Sequence, residues 1–441
     1  MALCEVAKSK RCILVLGAYG LIGSWIVRHL IGEDCEVVGL GRNELAAHSV
    51  LPQIRWLFHD LADLCSAEAW LAIIKDVDVV VNCAGALQEG MGDDLEIVHH
   101  RAIEALVLAC NGTGVGVVQI SAVGSRPDAS TAFLRTKAAG DAVVRAAQVP
   151  YWIFRPGMVI SPTAYGGSAL LRTLAAFPIV QPLANADAAI QTVSIKDLGQ
   201  AVSLAVHGKV PARLECDLVE ETPHALRDLI LEHRRWLGFA PPKRTISIPG
   251  WMLAMISRTA DLLGLLGWRS PLRSTATRVL EDGVLGDPSV WQVATGKRLS
   301  SLLQTLAAIP ATVEHRQFAR MSLLMPFAIG VLFVFWLASG LIGLIEIEKA
   351  AQVLRDVGWP NGLAIVSVAF WGVIDIAIAF SLLVRKYAMW SCVAMVIVSL
   401  IYLASATVIV PTLWIEPLGP LVKVLPGIML AVVTRAMLET R

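Results

Sequence analysis

Five apolar residues, Cys12 to Leu16, run straight into Gly17, Gly20 and Gly23. A continuous apolar run suits a strand buried on both faces of a parallel sheet. Glycines at this spacing let the backbone turn sharply, approach a pyrophosphate with no side chain between, and pack helix on strand. Leu21 to Leu30 then reads as a helix ended by Gly32, and Glu36 to Leu40 as the next strand. The helix N-terminus offers unpaired N–H groups and a positive dipole end to a phosphate. Set in such a strand–turn–helix–strand unit, Gly17, Ala18, Tyr19, Gly20, Leu21, Ile22 and Gly23 point to dinucleotide binding.

The second strand ends Gly41-Arg42-Asn43 rather than in the acid that would hold a ribose 2′-hydroxyl. A guanidinium at Arg42 suits a 2′-phosphate through charge-assisted bonds, so NADP(H) is expected, with NAD(H) as the alternative. Strand-like and helix-like stretches go on alternating. "IRWLFHDLAD", "VDVVVNCAG", "GVVQISAVG" and "YWIFRPGMVI" read as strands three to six. The expected fold class is α/β, a doubly wound parallel sheet with ligands outside the carboxyl ends of its strands. Asp60, Asn82 to Gly85, Ser121 and Arg155 to Gly157 fall at such ends.

Taken in order, "GAYGLIG", "HDLAD", "VNCAG", "QISAVGS", "FLRTKAAGD" and "RPGMV" resemble the extended or atypical short-chain dehydrogenase/reductases over most of residues 11 to 210. The resemblance implies that Asp60 and Leu61 contact the adenine. It places the turn Asn82, Cys83, Ala84 and Gly85 against the cofactor, Lys137 on the nicotinamide ribose, and Pro156 and Gly157 beside the nicotinamide. It also implies a serine that polarises a carbonyl, a tyrosine that donates a proton, and a lysine that lowers the tyrosine pKa. Ser121 and Lys137 match, but Phe133 stands four residues before the lysine, where the tyrosine belongs. Tyr165 is a further tyrosine, in the loop after the sixth strand. Superfamily members with such an incomplete set include accessory proteins such as the dehydrogenase-like subunit of respiratory complex I.

Composition changes along the chain. Hydrophobic residues make up 56% of it and charged residues 17%, too apolar for an ordinary soluble protein. The excess lies beyond Met321, in apolar stretches at roughly 321–344, 362–384, 389–411 and 417–438. Each is near the ~20 residues that span a bilayer, so an all-α bundle of four transmembrane helices is expected. "MPFAIGVLFVFWLASGLIGL" resembles DoxX-like domains. The expected division is a nucleotide domain over 1–320, with a substrate-side subdomain from about 211, and a membrane domain over 321–441. Arg316, Arg320, Arg385, Lys386 and Arg441 flank one side of the spans, which sets both termini in the cytoplasm and the protein in the inner membrane. Inside the spans, Asp375 is expected to pair with Arg435 rather than Lys423.

With 37 basic and 36 acidic residues, the charge balance gives no argument for nucleic acid. The eight cysteines include no C-x-x-C pair, so no metal site is expected. The expected function is a membrane-anchored NADP(H)-binding oxidoreductase, with the lipid bilayer as partner and a lipophilic carbonyl or quinone-like molecule as substrate. The alternative is a non-catalytic nucleotide-binding module of a membrane protein complex.

Overall fold

The computed structural model describes residues 10–33, 35–90, 94–415 and 419–439. Arg441, used above to set the orientation, lies outside them. The chain divides into two compact units: Met1–Arg258 with Pro271–His315, and Thr259–Ser270 with Arg316–Arg441.

The first unit is built on seven parallel strands: β1 (Cys12–Leu16), β2 (Glu36–Gly41), β3 (Arg55–Phe58), β4 (Val79–Asn82), β5 (Gly116–Ile120), β6 (Tyr151–Pro156) and β7 (Leu214–Leu218). Their order is β7-β6-β5-β4-β1-β2-β3, a doubly wound sheet that changes direction between β1 and β4. Ile13 and Val15 enter one core with helix α1 (Leu21–Ile31), while Leu14 and Leu16 enter the other with helix α2 (Ala102–Cys110). Burial on both faces is why this strand is apolar throughout.

β7 is the strand the pattern did not suggest. Its sequence, Leu-Glu-Cys-Asp-Leu, alternates polar with apolar, as an edge strand can. The polar positions are occupied because Glu215 and Asp217 meet Arg155 of β6. Helix α3 (Ala132–Ala146) packs on the same face of the sheet as α2, and helix α4 (Ile195–Val206) packs beside α1.

Helix α5 (Gly250–Leu265) continues from the first unit into the second. The segment Thr259–Ser270, expected to belong with the nucleotide domain, clusters with the apolar helices instead. Trp268 explains this: its Nε1 donates to Leu383 O at 2.6 Å, and Arg385 lies over its ring at 5.6 Å.

The second unit holds α6 (Val313–Ile345) from Arg316 on, with α7 (Asn361–Leu383), α8 (Arg385–Ile409) and α9 (Val424–Glu439). Among the described residues three of these, α6, α7 and α8, are long and apolar enough to cross a membrane, not four. α9 has 16 residues, about 24 Å of helix, short of a hydrocarbon core of ~30 Å. α6 and α7 touch through glycines: a Cβ on Gly340 would lie 2.5 Å from Gly372 O. Such small-residue contacts let helix backbones approach where water supplies no driving force.

The expected pairing of Asp375 with Arg435 does not form. Ser339 Oγ donates to Asp375 Oδ2 at 2.9 Å, and Arg435 reaches Glu439 at 2.9 Å. Glu439 is one turn along the same helix, a shorter reach for a guanidinium than a carboxylate on another span.

Candidate functional site

The glycine turn is built as its spacing suggested. Gly17 holds φ at +67°, a region costly for residues with a Cβ. Its N–H donates to Leu40 O at 2.9 Å, which ties the turn to β2. A Cβ on Gly17 would come within 2.9 Å of Ala84 Cα, so the turn lies flat against the chain leaving β4. Gly20 caps α1 in an extended conformation. Ala18 is buried and Tyr19 is half-buried, its ring against Gly41 and 6.0 Å from the Trp56 ring. Leu21, Ile22 and Gly23 form the first turn of α1.

At the end of β2, Arg42 Nη1 lies 3.6 Å from Asp60 Oδ2. The sequence placed these two separately; the structure brings them together. Asp60 Oδ1 also accepts from Ala62 N at 3.1 Å, opening the short turn Leu61–Leu64. Leu61 itself is buried.

Asn82 is fully buried and works on the backbone. Its Oδ1 accepts from Ala84 N at 3.0 Å, and its Nδ2 donates to Gln119 Oε1 at 2.8 Å. The turn through Cys83, Ala84 and Gly85 is thereby fixed. Burial pushes the Cys83 thiol up to about 12, so it is no thiolate at neutral pH.

Lys137 is buried at the carboxyl ends of β4 and β5. Its Nζ donates to Ile120 O at 3.0 Å and to Ala84 O at 3.4 Å. Ala84 is thus the shared neighbour of the glycine turn and the lysine. Burial lowers the Lys137 ammonium to about 8, against the opposing pull of Asp141. Both of these hydrogen bonds go to backbone carbonyls, and a Cβ on Gly85 would lie 3.2 Å from Nζ.

Ser121 follows β5 at once, but its proton is already committed. Its Oγ donates to Asp141 Oδ2 at 2.8 Å, and Ser125 Oγ lies 3.3 Å away. Asp141, one turn beyond Lys137, also accepts from Arg155 Nε at 3.2 Å. Arg155 goes on to Glu215 at 2.8 Å, which Arg145 grips with two bonds of 2.6 Å. Burial raises the Asp141 pKa, with Arg155 and Ser121 pulling the other way. The network fastens α3 to β5, β6 and β7.

Phe133 is half-buried and meets His99 edge-on, ring centres 5.7 Å apart. His99 sits in a wide turn, Ile97–Arg101, just before α2. Ala86 N donates to its Nε2 at 3.2 Å, so Nδ1 carries the proton toward Thr136 Oγ1 at 2.9 Å. Burial, and then the Lys137 charge, hold it down to about 2. A neutral imidazole with both nitrogens engaged does not replace the missing acid. Tyr165 is 58% exposed where helix Gly166–Ala175 begins. Pro156 ends β6, and Gly157 is required beside it, because a Cβ there would lie 2.5 Å from Gln191 O.

His99 and Asp141 were missed as site residues. His99 stands beside His100 and Arg101 in a helix-like stretch, with no spacing that sets it apart. Asp141 did carry a signal: an acid four residues after Lys137 shares its helix face. Among the described residues no group of three or more His, Cys, Asp or Glu side chains could hold a metal ion.

Comparison with known proteins matches this geometry. Residues 13–206 match the NAD dependent epimerase/dehydratase family, and residues 333–432 the DoxX-like family. Two dTDP-4-dehydro-6-deoxy-D-allose reductases are similar. One, from Streptomyces sp, is 34% identical over 122 residues, covering 25% of this chain and 37% of that protein. The other, from Streptomyces bikiniensis, is 36% identical over 118 residues, 24% of this chain and 36% of its own. The chain therefore spans little more than a third of their length.

Three solved structures have the same fold. The Bordetella bronchiseptica enzyme WbmH with NAD+ has a TM-score of 0.51 at 19% identity, covering 68% of this chain and 97% of its own. The Bacillus anthracis dTDP-glucose 4,6-dehydratase with NAD has a TM-score of 0.50 at 15% identity, covering 70% and 96%. The Thermotoga maritima UDP-glucose 4-epimerase with UDP-glucose has 0.50 at 15%, covering 69% and 98%. The chain thus joins a Rossmann domain similar to the epimerase/dehydratase family to a C-terminal region similar to the DoxX-like family.

Proposed function

We propose that this chain is a membrane-anchored oxidoreductase that binds a nicotinamide dinucleotide across Ala84, with the diphosphate on the glycine turn and the nicotinamide ribose on Lys137. The observation that carries this is the meeting of Gly17 and Lys137 on one residue, Ala84, at the carboxyl edge of the sheet. Gly17, Gly20 and Gly23 leave the backbone bare where a Cβ would crowd it, which suits a diphosphate. Once bound, the nicotinamide supplies the hydride.

The chain's own residues then hold and orient. Lys137, lowered to about 8, stays mostly charged at neutral pH and can donate to ribose hydroxyls. Arg42 favours a 2′-phosphate and hence NADP(H). Ser121 sets the position of α3 through Asp141 and can orient a reacting group only by releasing that bond. Phe133 fills the acid's place without a proton. General-acid help is typically worth ~10²–10⁴ in rate, so a substrate that water can protonate suits this site best. The helices α6, α7 and α8 keep the protein on a bilayer, and the cations at one side of them favour a cytoplasmic nucleotide domain. A lipophilic carbonyl or quinone fits both conditions. The similar reductases from Streptomyces act, by their names, on a keto sugar nucleotide, which makes that class the competing substrate.

A second reading is favoured by Phe133: the nucleotide is bound but not turned over, and serves a partner in the membrane. The test uses the full chain purified in detergent. Bound nucleotide is identified by mass spectrometry, and NADPH fluorescence is followed with soluble quinones, a long-chain enone and a dTDP-4-keto sugar. Oxidation by a quinone or the enone supports the first reading. Turnover of the keto sugar alone overturns its lipophilic part. Tight nucleotide without turnover, and turnover gained in Phe133→Tyr, supports the second.

A further inference from the structure

The strand Arg244–Ser247 pairs in parallel with Val180–Leu183, and this two-stranded ribbon is apolar on an open face. Ile246 and Ile179 are each more than half exposed, as are Trp251 and Met255 on the helix that follows. Beside them is a hollow of about 360 Å³ lined by Phe177, Val180, Pro182, Ile246, Ile248 and Met252. Isolated exposed hydrophobics are ordinary, but a continuous group of this kind marks an interaction surface.

The geometry points to a bilayer surface with anionic headgroups as the occupant of this face. Three observations favour it. From Leu237 to Ala260 the chain has no Asp or Glu, while Lys243, Arg244 and Arg258 are all exposed around the apolar group. An apolar face with a tryptophan and a basic rim is the signature of an element lying in a headgroup layer. Second, helix α5 continues without a break into Thr259–Ser270, which belongs with the apolar helices. Its Trp268 is bonded to Leu383, the last residue of the spanning helix α7. The chain from Trp251 to Trp268 reaches at most about 30 Å, so a bilayer is always present at high effective concentration. Third, Trp251, Met255 and Arg258 recur at spacings of four and three, so one helix face carries both the apolar anchors and a cation.

The full chain is placed in lipid nanodiscs with a bimane label at Ala254→Cys, an exposed position on this face. Controls carry the label at Leu45→Cys, 86% exposed in the nucleotide unit, and at Val366→Cys, 63% exposed on α7. Quenching by brominated acyl chains is read with and without phosphatidylglycerol. The expected result is about a twofold loss of fluorescence at 254, near that at 366 and absent at 45. It should be larger with the anionic lipid and reduced by Lys243→Glu with Arg244→Glu. Quenching at 254 no greater than at 45 in both lipids overturns the proposal. So does a label shielded from both bromolipid and aqueous iodide, which would mean a protein or substrate covers the face. The readout needs no nucleotide, so it stands or fails apart from the catalytic reading.

Discussion

The hydroxyl of Ser121 donates to the carboxylate of Asp141 at 2.8 Å. The residue expected to polarise a substrate is thus the first link of a buried chain that runs through Asp141 and Arg155 to Glu215. Asp141 is also the charge that raises the pKa of Lys137 against burial.

Removing that charge should act on Lys137. In Asp141→Asn the lysine loses its favourable neighbour and gives up its proton below about 8. Nucleotide affinity, which needs the ammonium, should then fall at a lower pH than in the wild type. Stability of the nucleotide unit should drop on the order of 2 kcal/mol, since Arg155 keeps Glu215 but Ser121 keeps only a weaker acceptor. A pH series of NADPH titrations with a melting curve at each pH measures both.

Asp60, 3.6 Å from Arg42, occupies the guanidinium face that a 2′-phosphate would use. Asp60→Asn retains an oxygen for Ala62 N and removes the carboxylate charge beside Arg42. Affinity for NADP(H) is expected to rise roughly tenfold relative to NAD(H), and Arg42→Ala to reverse the preference. Parallel titrations with the two nucleotides decide this. An unchanged ratio in both variants rules Arg42 out as a selector.

His99 makes the nucleotide unit acid-sensitive. Its pKa is about 2 in the folded chain against 6.5 for a free histidine. Below pH 6.5 the unfolded chain takes up a proton that the folded chain refuses, so stability falls as pH drops from 6.5 toward 2. The expected slope well inside that window is about 1.4 kcal/mol per pH unit. His99→Asn should remove that share of the slope and leave the share of His233, which burial holds down to about 4, as read from denaturant midpoints between pH 7 and pH 5.

In the helical unit, Gly340→Ala puts a methyl against Gly372 O and Ile376. The backbone cannot yield cheaply, and the unit should lose about 1–3 kcal/mol. Asp375→Asn keeps an acceptor for Ser339 and should melt like the wild type. The reverse order in thermal unfolding in detergent would mean that the carboxylate, not the glycine contact, holds α6 to α7.

The sequence carried the architecture where a physical pattern was repeated: apolar runs for strands buried on two faces, glycines for the turn, long apolar stretches for spans. It did not carry what depends on chains meeting in space. β7 was hidden because Glu215 and Asp217 look like solvent residues until Arg155 is placed against them. The same holds for Asp375: the sequence suggests Arg435 as its partner, whereas the structure gives it Ser339 on the helix lying alongside. Composition suggests a span over 417–438, but the described residues 419–423 form a turn and the helix begins at Val424. At the site, the glycine turn was legible from spacing, whereas Lys137 and Phe133 stood out only through the resemblance to short-chain dehydrogenases. The engagement of Ser121 was not legible, because a hydrogen bond from β5 to α3 leaves no trace in either segment.

The central claim is that backbone amides at the mouth of α1 hold a nicotinamide dinucleotide. The most direct test is titration of the full-length protein in detergent with NADPH and NADH, followed by energy transfer from tryptophan to the dihydronicotinamide. Saturable binding of at least one of the two, abolished in a folded Gly20→Asp variant, is the expected result. A protein that melts cooperatively yet binds neither nucleotide, reduced or oxidised, contradicts the account.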